Sequence, residues 1–205
     1  MKLVQLTTIQ LFAFVLGAFG VSHVARAYDN SDFVAPRDRA RIVFIQNQRS
    51  DRKMTFTVFE SDKRCVAEVG GREAQVLDVF PGPYIFYVLG YNTTRRIELY
   101  PESGRTYFVR LHTVDGLMGP VPDITRVRRT SDEHRRLKFT LDGAIVTHAK
   151  DNRKCYARPL KERENRTQRR LNEANAEWKN GDDVYRDKYK LIEKDGFTPK
   201  DVSLL

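Results

Sequence analysis

Short apolar runs, broken at regular intervals by turn residues, dominate the first half of the chain. Residues 41–45 include Ile42, Val43, Phe44 and Ile45, and residues 54–59 alternate with a period of two. Similar runs follow at residues 65–69, 75–79, 84–89, 95–100 and 105–112. Ser50-Asp51, Gly70-Gly71, Pro81-Gly82-Pro83, Asn92 and Glu102-Ser103-Gly104 punctuate them. Runs this short and this rich in β-branched and aromatic residues are strands. A repeat of about 8–12 residues per strand predicts a mainly β fold, an antiparallel β-sandwich over residues 40–129. An eighth strand is expected at residues 124–128, after a Gly/Pro loop at residues 116–122. Hydrophobic residues make up 40% of the 205-residue chain and aromatics 11%, which supplies a core and excludes wholesale disorder.

The pattern changes at residue 130, where a helical extension over residues 130–205 is expected. Thr130-Ser131-Asp132-Glu133 reads as a capping box, with Leu137 and Leu141 on the inner face of a short helix that Asp142-Gly143 ends. Residues 144–149 read as one more strand. Beyond Pro159, Leu160, Thr167, Leu171, Ala174 and Trp178 form one narrow helical stripe up to Gly181. A second helix is expected over residues 182–194, burying Tyr185, Tyr189 and Ile192.

The N-terminus carries Lys2, then no charged side chain from Leu3 to Val24, then Ala25-Arg26-Ala27. This pattern predicts a secretory signal peptide over residues 1–27, cut after Ala27, followed by a flexible lead-in over residues 28–39. The expected location is therefore periplasmic or extracellular, and no later stretch is long and apolar enough to span a bilayer. An oxidising compartment favours a disulfide between Cys65 and Cys155. Closing that 90-residue loop is worth about 4–5 kcal/mol in the chain-entropy picture.

Val79-Phe80-Pro81-Gly82-Pro83-Tyr84, followed by Gly104-Arg105-Thr106-Tyr107 and an apolar strand, has its own physical logic. Proline sets φ, glycine permits the reversal and the tyrosine begins the next buried strand. The arrangement resembles small bacterial envelope β-sandwiches of the PEGA type and related domains of unknown function, over about residues 41–111. The resemblance implies a non-enzymatic envelope role and brings no catalytic residues with it. This chain departs from the pattern by adding a charged helical tail.

Reactive chemistry is poorly marked. There is no Gly-x-Ser-x-Gly elbow and no phosphate loop, and two cysteines exclude a four-cysteine zinc site. No cofactor, metal site or catalytic residue is assigned, although a set built on His112, Asp115 and a distant histidine is conceivable. Asn92-Thr93-Thr94 and Asn165-Arg166-Thr167 match the N-glycan acceptor pattern, which matters only in a eukaryotic source. The formal charge is +9. Arg126, Arg128, Arg129, Arg135 and Arg136 form the densest basic group and are the expected contact for an anionic envelope surface. Arg163, Arg166, Arg169 and Arg170 form a second group, interleaved with glutamates. Export and buried aromatics argue against a nucleic-acid partner. The expected function is an exported, non-catalytic binding or structural module meeting an envelope protein or an anionic surface. The alternatives are a small secreted hydrolase and an inhibitor or immunity-type protein.

Overall fold

Residues Ile42, Val43, Phe44 and Ile45 are all fully buried, which one half-solvated sheet face cannot provide. A computed structural model, describing residues 29–47, 53–62, 64–90, 93–116, 119–129, 132–149 and 164–205, shows why. Its strands are β1 (Ala40–Gln46), β2 (Phe56–Glu60), β3 (Cys65–Val69), β4 (Glu73–Val79), β5 (Tyr84–Leu89), β6 (Thr94–Leu99), β7 (Thr106–Gly116), β8 (Gly119–Val127), β9 (Ile145–His148) and β10 (Lys190–Leu191). The helices are α1 (Asp132–Leu141), α2 (Glu164–Asn180), α3 (Asp183–Lys188) and α4 (Pro199–Ser203). One sheet has the order β8-β7-β1-β4-β9 and the other β10-β6-β5-β2-β3.

Alternate residues of β1 serve different layers. Ile42 and Phe44 face the second sheet, where they share a core with Phe56, Val58, Phe86, Val88, Ile97 and Leu99. The rings of Phe44 and Phe86 meet edge-on at 5.7 Å. Val43 and Ile45 face the other way, onto Phe33, Leu137, Leu141, Phe197 and Val202. On the far side of the second sheet, Phe59 and Tyr87 pack under Leu171 and Ala174 of α2. The molecule thus has four layers: α2, one sheet, the other sheet, then α1 and α4 with the N-terminal segment.

The fold is mainly β with a C-terminal helix, as the strand pattern predicts, but the sheets are mixed rather than antiparallel throughout. The β1–β7, β4–β9 and β6–β10 pairs are parallel. The hairpins β2–β3, β5–β6 and β7–β8 are shared out between the two sheets, so the chain crosses over between them. β1 and β7 then become neighbours running the same way. The expected loop at residues 116–122 is largely strand. β8 begins at Gly119 and pairs with β7 from Gly116 down to Phe108. Pro120 and Pro122 are tolerated because β8 is an edge strand.

The polar N-terminal segment is built into the fold. Phe33 is fully buried, its carbonyl accepts from Thr106 Oγ1 at 2.6 Å, and its ring meets Phe108 at 5.9 Å. The helix expected over residues 182–194 stops at Lys188. Beyond it the backbone is drawn onto β6: Glu98 and Tyr100 N–H groups donate to the Tyr189 and Leu191 carbonyls, each at 3.0 Å. Residues 130–205 are likewise no appendage, since they supply an edge strand to each sheet. The expected leader, residues 1–27, lies outside the described residues, and no described helix is long and apolar enough to cross a membrane.

Candidate functional site

β8 forms one edge of its sheet and carries the polar residues that matter most. Asp123 stands opposite His112 in register, with His112 Nε2 at 3.9 Å from Asp123 Oδ2. Asp123 is buried. It accepts from Lys188 Nζ at 2.8 Å and from the Tyr189 hydroxyl at 2.6 Å. Burial pushes the Asp123 pKa up, but donation from Lys188, Tyr189 and the Ile124 N–H, with the Lys188 charge, outweighs it and leaves the pKa below its ordinary value. The Tyr189 phenol is held above its ordinary pKa, first by burial and then by the Asp123 carboxylate.

The expected basic group divides in two along this edge. Arg126 donates to Asp187 Oδ2 at 2.6 Å and to the Lys190 carbonyl. Arg128 reaches Asp187 at 3.1 Å and, through Nε, Asp195 at 3.4 Å. Arg129 lies 3.7 Å from Asp201. Asp201 is itself held by the Thr198 N–H and hydroxyl. These donors, with Arg129 and His134, overcome the effect of burial and lower the Asp201 pKa. All three arginines therefore bind the C-terminal segment to the sheet. Arg135 and Arg136 are on the solvent side of α1, where Arg135 pairs with Asp132 three residues away.

Arg128, Arg129 and Lys194 line an open depression of about 490 Å³ together with Asp187, Asp195 and Ile192. Three cations and two carboxylates share the lining, so it concentrates no single sign of charge strongly. The sequence pattern marks Tyr189 only as a buried helix residue and does not mark Asp187, Lys188, Asp195 or Asp201. A signal is present nonetheless: residues 182–201 hold six Asp or Glu against five Lys or Arg, after a basic stretch from 126 to 138.

Among the described residues the histidines do not converge. His112 is on β7 and His148 on β9, three strand spacings apart in the sheet order, about 14 Å. His134 packs edge-on against Phe197 at 5.1 Å. Asp115, the partner considered for His112, is exposed and faces Pro120 in register, so Asp123 takes its place. Among the described residues no group of three or more His, Cys, Asp or Glu side chains is placed to hold a metal ion.

Cys65 begins edge strand β3, half-buried against the cluster that α2 covers. Cys155 lies outside the described residues, as does Asn92 of the first glycan tripeptide. Asn165 is exposed in the first turn of α2. Comparison with known proteins finds no family model and no curated protein that matches this chain.

Proposed function

We propose that this protein is an exported, non-catalytic binding or structural module of the cell envelope, working against an envelope protein or an anionic surface. One observation carries the reading. The ionisable side chains on β8 and just beyond it are used to fasten the C-terminal segment: Asp123 to Lys188 and Tyr189, Arg126 and Arg128 to Asp187, Arg129 to Asp201. Such cross-links favour a rigid scaffold over an adaptable catalytic cleft.

A Cys65–Cys155 disulfide belongs to the same proposal. Cys155 precedes the start of α2 by nine residues, and α2 covers the cluster that includes Cys65. Nine residues span up to about 30 Å, ample reach for such a bond.

Cell fractionation with N-terminal sequencing tests the address, and a panel of generic esters and glycosides tests the absence of turnover. The expected result is a chain beginning at Tyr28, found outside the cytoplasm and inert toward the panel. A full-length cytoplasmic chain overturns the export. Turnover that disappears in His112→Gln or Asp123→Asn turns the assignment to a hydrolase.

A further inference from the structure

With the β8 arginines engaged by carboxylates, the surplus positive charge must lie elsewhere. Residues 150–170 contain nine Lys or Arg against three Asp or Glu, so 21 residues carry six of the nine net charges. Within the described part of this stretch, Arg166, Arg169 and Arg170 are spaced three and four apart, on one side of α2. Arg166 is exposed and the Arg169 side chain is 71% exposed. Arg170 is half-buried and donates to the Gly90 carbonyl at 3.3 Å. Among the described side chains the acid beside them is Glu173, 3.6 Å from Arg169, in an exposed pair that contributes little; Glu162 and Glu164 adjoin Arg166 in sequence.

This crowding is costly to the isolated chain. Arg166 stands in the first helical turn, where the helix dipole disfavours a cation. Partial burial, then the Arg166 and Arg169 charges, hold the Arg170 guanidinium below its ordinary pKa, against the pull of Glu173. Packing does not require the charges, because the face of α2 that meets the sheet is made by Leu171, Ala174 and Trp178. An external anion would relieve the repulsion.

We infer that the N-terminal half of α2, through Arg166, Arg169 and Arg170, is a docking face for the phosphate headgroups of an anionic lipid surface. The face is an open helix side rather than a groove. Among the described residues, Tyr87 under α2 and Trp178 on it are buried, and Tyr185 packs against the same cluster as Trp178, so these rings offer no platform for nucleobases. An array of phosphates that can rearrange laterally fits such a face. With no apolar insertion, the adsorption is electrostatic, reversible and lost on raising salt past the point where the Debye length falls below about 8 Å.

The inference names the anionic partner of the proposed envelope module. Its test does not depend on the cellular address, so it can fail while the fractionation result stands. The chain from Tyr28 onward is used, the form the proposed cleavage leaves, and it holds every described residue of the three core clusters. Sedimentation with vesicles of phosphatidylglycerol and phosphatidylcholine in equal parts is compared with pure phosphatidylcholine. The wild type should bind only the anionic vesicles. Each charge removed should weaken binding about fivefold, so Arg166→Gln/Arg169→Gln should lose about 25-fold. That pair spares the Arg170 contact with Gly90, and thermal unfolding confirms its folding. Arg135→Gln/Arg136→Gln, the same charge loss on α1, should change binding by less than about threefold. No wild-type binding, an unaffected α2 variant, an equal loss in the α1 variant, or binding to RNA without binding to vesicles each overturns the inference.

Discussion

Asp123 shows how one residue sets the behaviour of a whole edge. Its carboxylate is the common acceptor for Lys188 and Tyr189, and both belong to the segment that α3 leads into β10. In Asp123→Asn the amide keeps the shape but loses the charge and half the acceptor capacity. Because Lys188 is half-exposed and can regain water, the expected loss is about 1–3 kcal/mol at neutral pH, measured by urea denaturation. The sign with pH follows from the lowered pKa. A carboxylate that folding makes more acidic stabilises above its unfolded pKa, about 3.9, and gives that stability up as pH falls through its folded value. The gap between Asp123→Asn and wild type should therefore be full at pH 6 and close progressively below about pH 4. A constant gap down to pH 2 would remove the carboxylate from the explanation. Gly196 is a second sensitive position, for steric reasons only. Its φ is −73°, which any residue adopts, but a Cβ there would lie 2.7 Å from Cζ of the fully buried Tyr107. Gly196→Ala should cost about 1–3 kcal/mol in the same assay.

Among the elements, legibility depended on whether a pattern answered to one neighbour or to two. α1 answers to one: Leu137 and Leu141 were placed on its inner face by spacing, and both are buried. The turns at Pro81-Gly82 and Ser103-Gly104 separate strands where expected, with Gly82 and Gly104 at positive φ. β1 answers to two. Its unbroken apolar run encodes burial on both faces, but nothing local says that the second cover comes from Phe33 and from residues near the C-terminus. β10 is the extreme case. Lys190 and Leu191 lie in a helical-looking stretch and become strand only because β6 offers a parallel edge. The site suffered from the same blindness. The basic residues cluster within a few positions of one another, while their carboxylate partners lie about 60 to 70 residues further on. The Thr106–Phe197 bridge tests this non-local level. Phe197 is fully buried, 5.2 Å from the Phe108 ring and perpendicular to it. Phe197→Ala should cost about 3–5 kcal/mol. A loss below 1 kcal/mol in chemical denaturation would mean that the terminal segment is dispensable to the core.

Taken as a whole molecule, the protein closes its four layers with its last residues. α2 covers one sheet, and Phe197, Val202 and Leu205 cover the other. A detachable tail would unfold on its own; a tail that completes both outer faces must unfold with the sheets. The single tryptophan makes the difference measurable. Trp178 sits on α2 as a buried member of the largest core cluster, under the Arg96 guanidinium at 4.9 Å and beside Tyr185. Its fluorescence reports the tail, whereas far-UV circular dichroism is weighted toward the molecule's total strand and helix content. The two probes should give superimposable urea transitions with one midpoint. A fluorescence midpoint clearly below the dichroism midpoint would show that α2 leaves first and that the sheets stand alone. It would also alter the meaning of the β8 ion pairs. They would then hold a releasable strap rather than the last wall of one cooperative unit, and Asp123→Asn would shift the fluorescence midpoint while leaving the dichroism midpoint in place.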